Sequence, residues 1–120
     1  MNMTTNGISI DQRSIVLVPF PFSDLTSQKK RPALVVSSAG FNKTSEDIIC
    51  CLITSNPAAK NSISITNKDM ETGFLEFESK IKPYRLFTAS KGIIYKNLGK
   101  LNKEKSKSVE KEICKLVKIY

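Results

Sequence analysis

Apolar residues fall in short runs along this chain, and most of the runs read as strands. Ile15-Val16-Leu17-Val18 is continuous and rich in β-branched side chains, which predicts a strand buried on both faces. Pro19 and Pro21 remove two backbone donors and should end its pairing. Residues 22–30 form a polar connection with turn residues at Ser23-Asp24. Residues 33–37 are a second strand, with Pro32 at its first position, where a strand tolerates proline. A loop is expected over residues 38–45. Residues 48–54 are nearly all apolar and read as a third, central strand, ended by the turn signal Ser55-Asn56-Pro57. Residues 62–66 alternate with period two, as a half-exposed strand does. Residues 74–78 and 81–88 supply two more short strands, the second interrupted by Pro83.

The period changes at the end of the chain. Val109, Ile113, Leu116, Val117 and Tyr120 lie on one face of an α-helix, with Asn102 placed as its N-cap. A β-rich body closed by one amphipathic helix is an α+β, mainly β layout of the small-barrel kind. The 120 residues, 40% hydrophobic, suit one domain with a core large enough to need no metal or disulfide. The longest apolar run, residues 15–22, contains two prolines, and a membrane span needs roughly 18 apolar residues. Residues 1–12 lack the basic start and apolar stretch of a leader, so the expected compartment is the cytoplasm.

Charge narrows the function. Nineteen Lys and Arg face eleven Asp and Glu, a net +8, which points to an anionic partner, nucleic acid first. Nine lysines against three glutamates after residue 90 read as the solvated face of the terminal helix. Lys29-Lys30-Arg31 differs, because it is short, sits between apolar runs and ends at a proline. Histidine is absent, which removes imidazole as base, acid or ligand and excludes Ser-His-Asp and Cys-His hydrolases. Cys50 and Cys51 would point to opposite faces of a strand, so they read as small core residues, as does Cys114 beside Ile113. The acids are scattered and no glycine-rich phosphate loop occurs, so neither metal nor cofactor is expected. What remains is Arg31 at the entrance of one strand and Thr54-Ser55 at the exit of another. Antiparallel neighbours would bring these ends together, where a guanidinium and a hydroxyl suit a phosphate. On pattern alone they read more readily as a surface arginine and ordinary strand filler.

A resemblance bears on that choice. Ile15-Val16-Leu17-Val18-Pro19-Phe20-Pro21-Phe22-Ser23-Asp24-Leu25, followed by Lys30-Arg31-Pro32-Ala33-Leu34-Val35-Val36-Ser37, closely resembles the opening of the MazF/PemK toxin family. Ile53-Thr54-Ser55 is similar to the end of that family's third-strand motif. Leu86-Phe87-Thr88, Lys91, Ile94 and Leu98-Gly99-Lys100-Leu101 are similar to its C-terminal half. The resemblance implies a domain over residues 13–120 behind a flexible extension, residues 1–12. It implies an SH3-like β-barrel with an appended helix, usually a homodimer. It also implies a metal-independent toxin endoribonuclease that cuts single-stranded RNA at a short sequence and is blocked by an acidic antitoxin.

By matching position Arg31 and Thr54 are the catalytic pair. Arg85 stands where many members carry a substrate-contacting glutamine, and Arg13-Ser14 stands where members carry Gly-Asp or Gly-Glu. In such a site the 22–30 loop covers the RNA, with Lys29 and Lys30 on phosphates, Ser23 and Gln28 on base edges, and Ser55 beside Thr54. The RNA's own 2′-OH would attack its phosphorus, leaving 2′,3′-cyclic phosphate and 5′-OH ends. The alternative is a non-catalytic toxin or nucleic-acid-binding barrel of the same fold, such as a topoisomerase poison.

Overall fold

The computed structural model describes residues 2–3, 7–19 and 29–120. Nine strands and two helices follow in order: β1 (Asn2–Met3), β2 (Ser9–Ile10), β3 (Ser14–Pro19), β4 (Lys30–Val35), α1 (Ala39–Thr44), β5 (Asp47–Thr54), β6 (Ile63–Ile65), β7 (Met70–Gly73), β8 (Ser79–Ser90), β9 (Lys96–Leu101) and α2 (Lys103–Val117). β1 pairs with β2; the other seven strands form one antiparallel sheet in the order β6-β8-β5-β4-β3-β9-β7, curled into a half-barrel. The run 15–18 is buried on both faces because the sheet has a core on each side. Val16, Val18, Ala33, Val35, Ile48 and Cys50 meet Ile10 and Ile94 on one side. Ile15, Leu34, Cys51, Ile53, Ile65 and Ile81 meet Leu101 and the helix residue Val109 on the other.

Proline and glycine shape the sheet. Pro19 closes β3 opposite Lys30, as its missing donor requires. Pro83 lies in a bulge of β8: Cys51 pairs with Leu86 and Leu52 with Lys82, so Pro83, Tyr84 and Arg85 have no counterpart on β5. β7 and β9 touch through Gly73 and Gly99, where an added Cβ would lie 2.0 and 2.2 Å from a backbone oxygen.

Several elements differ from expectation. β4 begins at Lys30, so Arg31 is inside the strand and Pro32 is its third residue. Residues 38–45 contain α1, started by Ser38, whose hydroxyl accepts the Phe41 N–H. The helix is tied down by buried Asn42, which donates to Ser37 O (3.0 Å) and accepts from Ser37 Oγ through its side chain, while Lys91 Nζ donates to its carbonyl. Residues 74–78 are not a strand. Phe74 and Phe77 face solvent there, and Leu75 alone is buried, bracketed by the Asn67 amide, which accepts from its N–H and donates to its carbonyl. The strand in that region is β7. Helix α2 starts at Asn102 as expected, its side chain accepting the Lys105 N–H at 2.8 Å. Only the first half of its apolar stripe is covered: Val109 is 1% exposed, whereas Leu116 and Val117 are 56% and 67% exposed. Cys114 is exposed too, so unlike Cys50 and Cys51 it is no core residue. Among the described residues no helix is long and apolar enough to cross a membrane.

Candidate nucleic-acid interface

Arg31 is fixed by its place in β4, where it pairs with Val18 of β3. On the other side the β4–β5 register runs Val35↔Cys50, Leu34↔Cys51, Ala33↔Leu52. Carried two residues past its last pair, the same register would set Arg31 opposite Thr54, the last residue of β5. Opposite residues of an antiparallel pair share a face, and here it is the face of Val18 and Ala33. Pro32 has no N–H to offer, and the observed pairing with β5 begins just after it. Both site residues therefore stand where two strands end their ladder, half-exposed at the rim of a buried core.

Thr54 is poised as a donor. Its Oγ1 accepts the Asn56 N–H at 3.2 Å, so its own proton is available to an anion. Across the next strand boundary Thr54 pairs with Lys80 of β8, and Lys80 pairs with Ser64 of β6. Lys80 Nζ donates to Ser64 Oγ at 3.1 Å. One transverse row thus carries Arg31, Thr54, Lys80 and Ser64. Lys80 was not legible as a site residue, since it lies in no motif and only the β5–β8 register brings it beside Thr54.

The other expected contacts distribute around this row. Ser55 follows Thr54 and is exposed. Lys29 and Lys30 are exposed at the start of β4, and Lys30 Nζ lies 3.5 Å from the centre of the Tyr95 ring. Arg85 is exposed in the β8 bulge, away from the transverse row but on the same pair of strands as Thr54. Ser23 and Gln28 lie outside the described residues. Arg13 takes a positive φ of 77°, the conformation glycine adopts most readily. Its guanidinium donates to Leu101 O (2.8 Å) and Glu71 Oε1 (3.2 Å), joining the entry of β3 to β7 and β9.

Burial pushes the Cys50 and Cys51 thiols up to about 12, so neither offers a thiolate at neutral pH. Among the described residues no group of three or more His, Cys, Asp or Glu side chains converges. What the row offers is a permanent cation, a hydroxyl donor and a second cation along one line, a set suited to a phosphodiester.

Comparison with known proteins agrees with this layout. No curated protein matches the chain by sequence. An endoribonuclease from a mycobacterial species, in complex with its cognate antitoxin, is similar at a TM-score of 0.67 and 15% identity, over 88% of this chain and 90% of that one. The MazE–MazF complex of Deinococcus radiodurans is similar at 0.68 and 16% identity, over 92% and 97%. The Mycobacterium tuberculosis toxin MazF-mt6 is similar at 0.67 and 14%, over 86% and 94%. At such identities these structures speak for the fold. The family rests on sequence: the model for PemK-like, MazF-like toxins of type II toxin–antitoxin systems matches residues 11–117, and the chain belongs to that family.

Proposed function

We propose that this toxin is an endoribonuclease that cuts single-stranded RNA by transphosphorylation within the substrate, with no metal ion. What supports this reading is the β4–β5 register, which, carried two residues past its last pair, Ala33↔Leu52, would bring Arg31 opposite Thr54 on one face of the sheet. RNA supplies the nucleophile, since each 2′-OH lies beside its own phosphorus. The enzyme has to hold that hydroxyl in line and stabilise the charge gathering on the phosphorane. Arg31 can take two phosphate oxygens with its fork, and Thr54 can donate to a third position. With no histidine in the chain, catalysis is mainly electrostatic: the 2′-OH passes its proton to solvent as the P–O2′ bond forms, the P–O5′ bond breaks, and the departing 5′-oxygen takes a proton from solvent. The products are a 2′,3′-cyclic phosphate and a 5′-OH. DNA lacks the attacking group and stays whole.

The same basic face accounts for the partner. An acidic, disordered antitoxin segment lying along it competes with RNA for the cations and orders on binding. Exposed Tyr84, Leu86, Leu116 and Val117 give the chain apolar surface for assembly, which we take to be a homodimer. The decisive test is incubation with single-stranded RNA in excess EDTA. Fragments ending in cyclic phosphate are expected, and Arg31→Ala should lower kcat by about 10²–10³-fold while leaving the circular dichroism spectrum unchanged. Intact RNA under these conditions, or an Arg31→Ala variant as fast as the parent, refutes the assignment.

A further inference from the structure

An aromatic ring stands beside the row with no packing reason to be there. Tyr95 is 57% exposed, just ahead of β9, and its N–H donates to Leu17 O of β3 at 2.9 Å. The backbone is therefore fixed while the ring faces outward. Lys30 lies over that ring, Nζ 3.5 Å from its centre, and Lys30 is the residue before Arg31. Neither side chain belongs to either core cluster. From β4 across β3 to Tyr95 is two strand spacings, about 10 Å, close to the span of one nucleotide and its base.

We propose that Tyr95 is a stacking platform for an RNA base adjacent to the scissile phosphate, with Lys30 as its placeholder in the free protein. This deepens the ribonuclease reading and rests on it. A single-stranded substrate presents unstacked bases, and an exposed tyrosine face offers a replacement stack. A base stacked on the ring is worth more than a solvated lysine lying over it, so the base displaces the ammonium. The freed Lys30 then has a phosphate within reach of its flexible stem, next to the one Arg31 holds. One displacement thereby couples base capture to backbone neutralisation. Because every base has a π-face, Tyr95 contributes affinity and position in the site, while choice among bases comes from hydrogen bonds elsewhere.

The chain has no tryptophan, so Tyr95→Trp creates a single fluorescent reporter. Titrating that variant with an uncleavable 2′-O-methyl oligonucleotide should quench its emission, and an abasic oligonucleotide of equal length and charge should not. In cleavage assays with single-stranded RNA, Tyr95→Ala should raise KM about tenfold with kcat nearly unchanged. Tyr95→Phe, which keeps the ring, should restore KM. A Tyr95→Ala variant with parental KM, or equal responses to oligonucleotides with and without bases, overturns the proposal and leaves the ribonuclease reading standing. Should the parent cut no RNA at all, the ribonuclease reading fails, and the two titrations still decide whether the ring stacks on bases.

Discussion

Arg13 holds a left-handed backbone with φ of 77° and spends its side chain on Leu101 O and Glu71. The two effects oppose each other. A non-glycine residue in that conformation costs about 1 kcal/mol. The bond from a charged donor to a part-buried carbonyl returns about 1.5 kcal/mol, and the partly exposed ion pair adds little. Arg13→Gly therefore loses the clamp but relieves the backbone, and its stability should stay within about 1 kcal/mol of the parent. Arg13→Ala keeps the strain and loses the clamp, so it should fall by about 1.5 kcal/mol or more. Urea midpoints of the two variants measure the difference directly. An alanine variant as stable as the glycine variant would show that the left-handed turn carries no strain.

At the scale of elements, helix α2 is anchored at one end only. Val109 reaches the core beside Leu101, whereas Leu116 and Val117 lie mostly in solvent. Val109→Ala should cost about 2 kcal/mol in urea unfolding, from two lost methyl groups and the cavity they leave. Leu116→Ser, measured at dilution, should shift stability by less than about 0.5 kcal/mol. A Leu116→Ser cost equal to that at Val109 would mean that the helix is covered along its whole length. The contrast also shows how far sequence reading reaches. Period 3.6 identified the helix and Asn102 its start, but period says nothing about how much of a stripe finds something to cover it. Strands with their own β-branched pattern, Ile15 to Val18 and Ile48 to Thr54, were legible for the same reason. Strand β9, Lys-Asn-Leu-Gly-Lys-Leu, and strand β7, Met-Glu-Thr-Gly, were not, because they exist through pairing to each other and to β3. Helix α1 depends on the Ser38 cap and on the buried bonds of Asn42, neither visible as periodicity. In the candidate site, Arg31 and Thr54 were readable as strand ends plus a family motif. Lys80 and Tyr95 were not, since register alone puts the first beside Thr54 and an isolated exposed ring has no pattern.

Across the whole molecule the question is which of the surplus cations meet the substrate. The net charge of +8 is weighted toward the C-terminal lysines, and many of these are exposed on α2. But α2 lies on the Leu101 and Val109 side of the sheet, and Arg31, Thr54 and Lys80 share the other. A helix packed on a sheet sits about 10 Å from it, more than one Debye length of about 8 Å at physiological salt. The helix lysines can speed encounter at low salt but cannot neutralise phosphates held, as proposed, on the opposite face. Lys29, Lys30, Arg31 and Lys80 can. If about three phosphates of a single strand are neutralised there, the slope of log K against log salt is about −2, so affinity falls roughly 20-fold from 50 to 200 mM. A slope near −8 is expected instead if the nine C-terminal lysines also bind. Titrating an uncleavable RNA at several salt concentrations separates the two, and replacing Lys107 and Lys111 by glutamine should leave the slope unchanged. A slope that flattens in that double variant would move the RNA onto the helix side and remove Arg31 from contact with it.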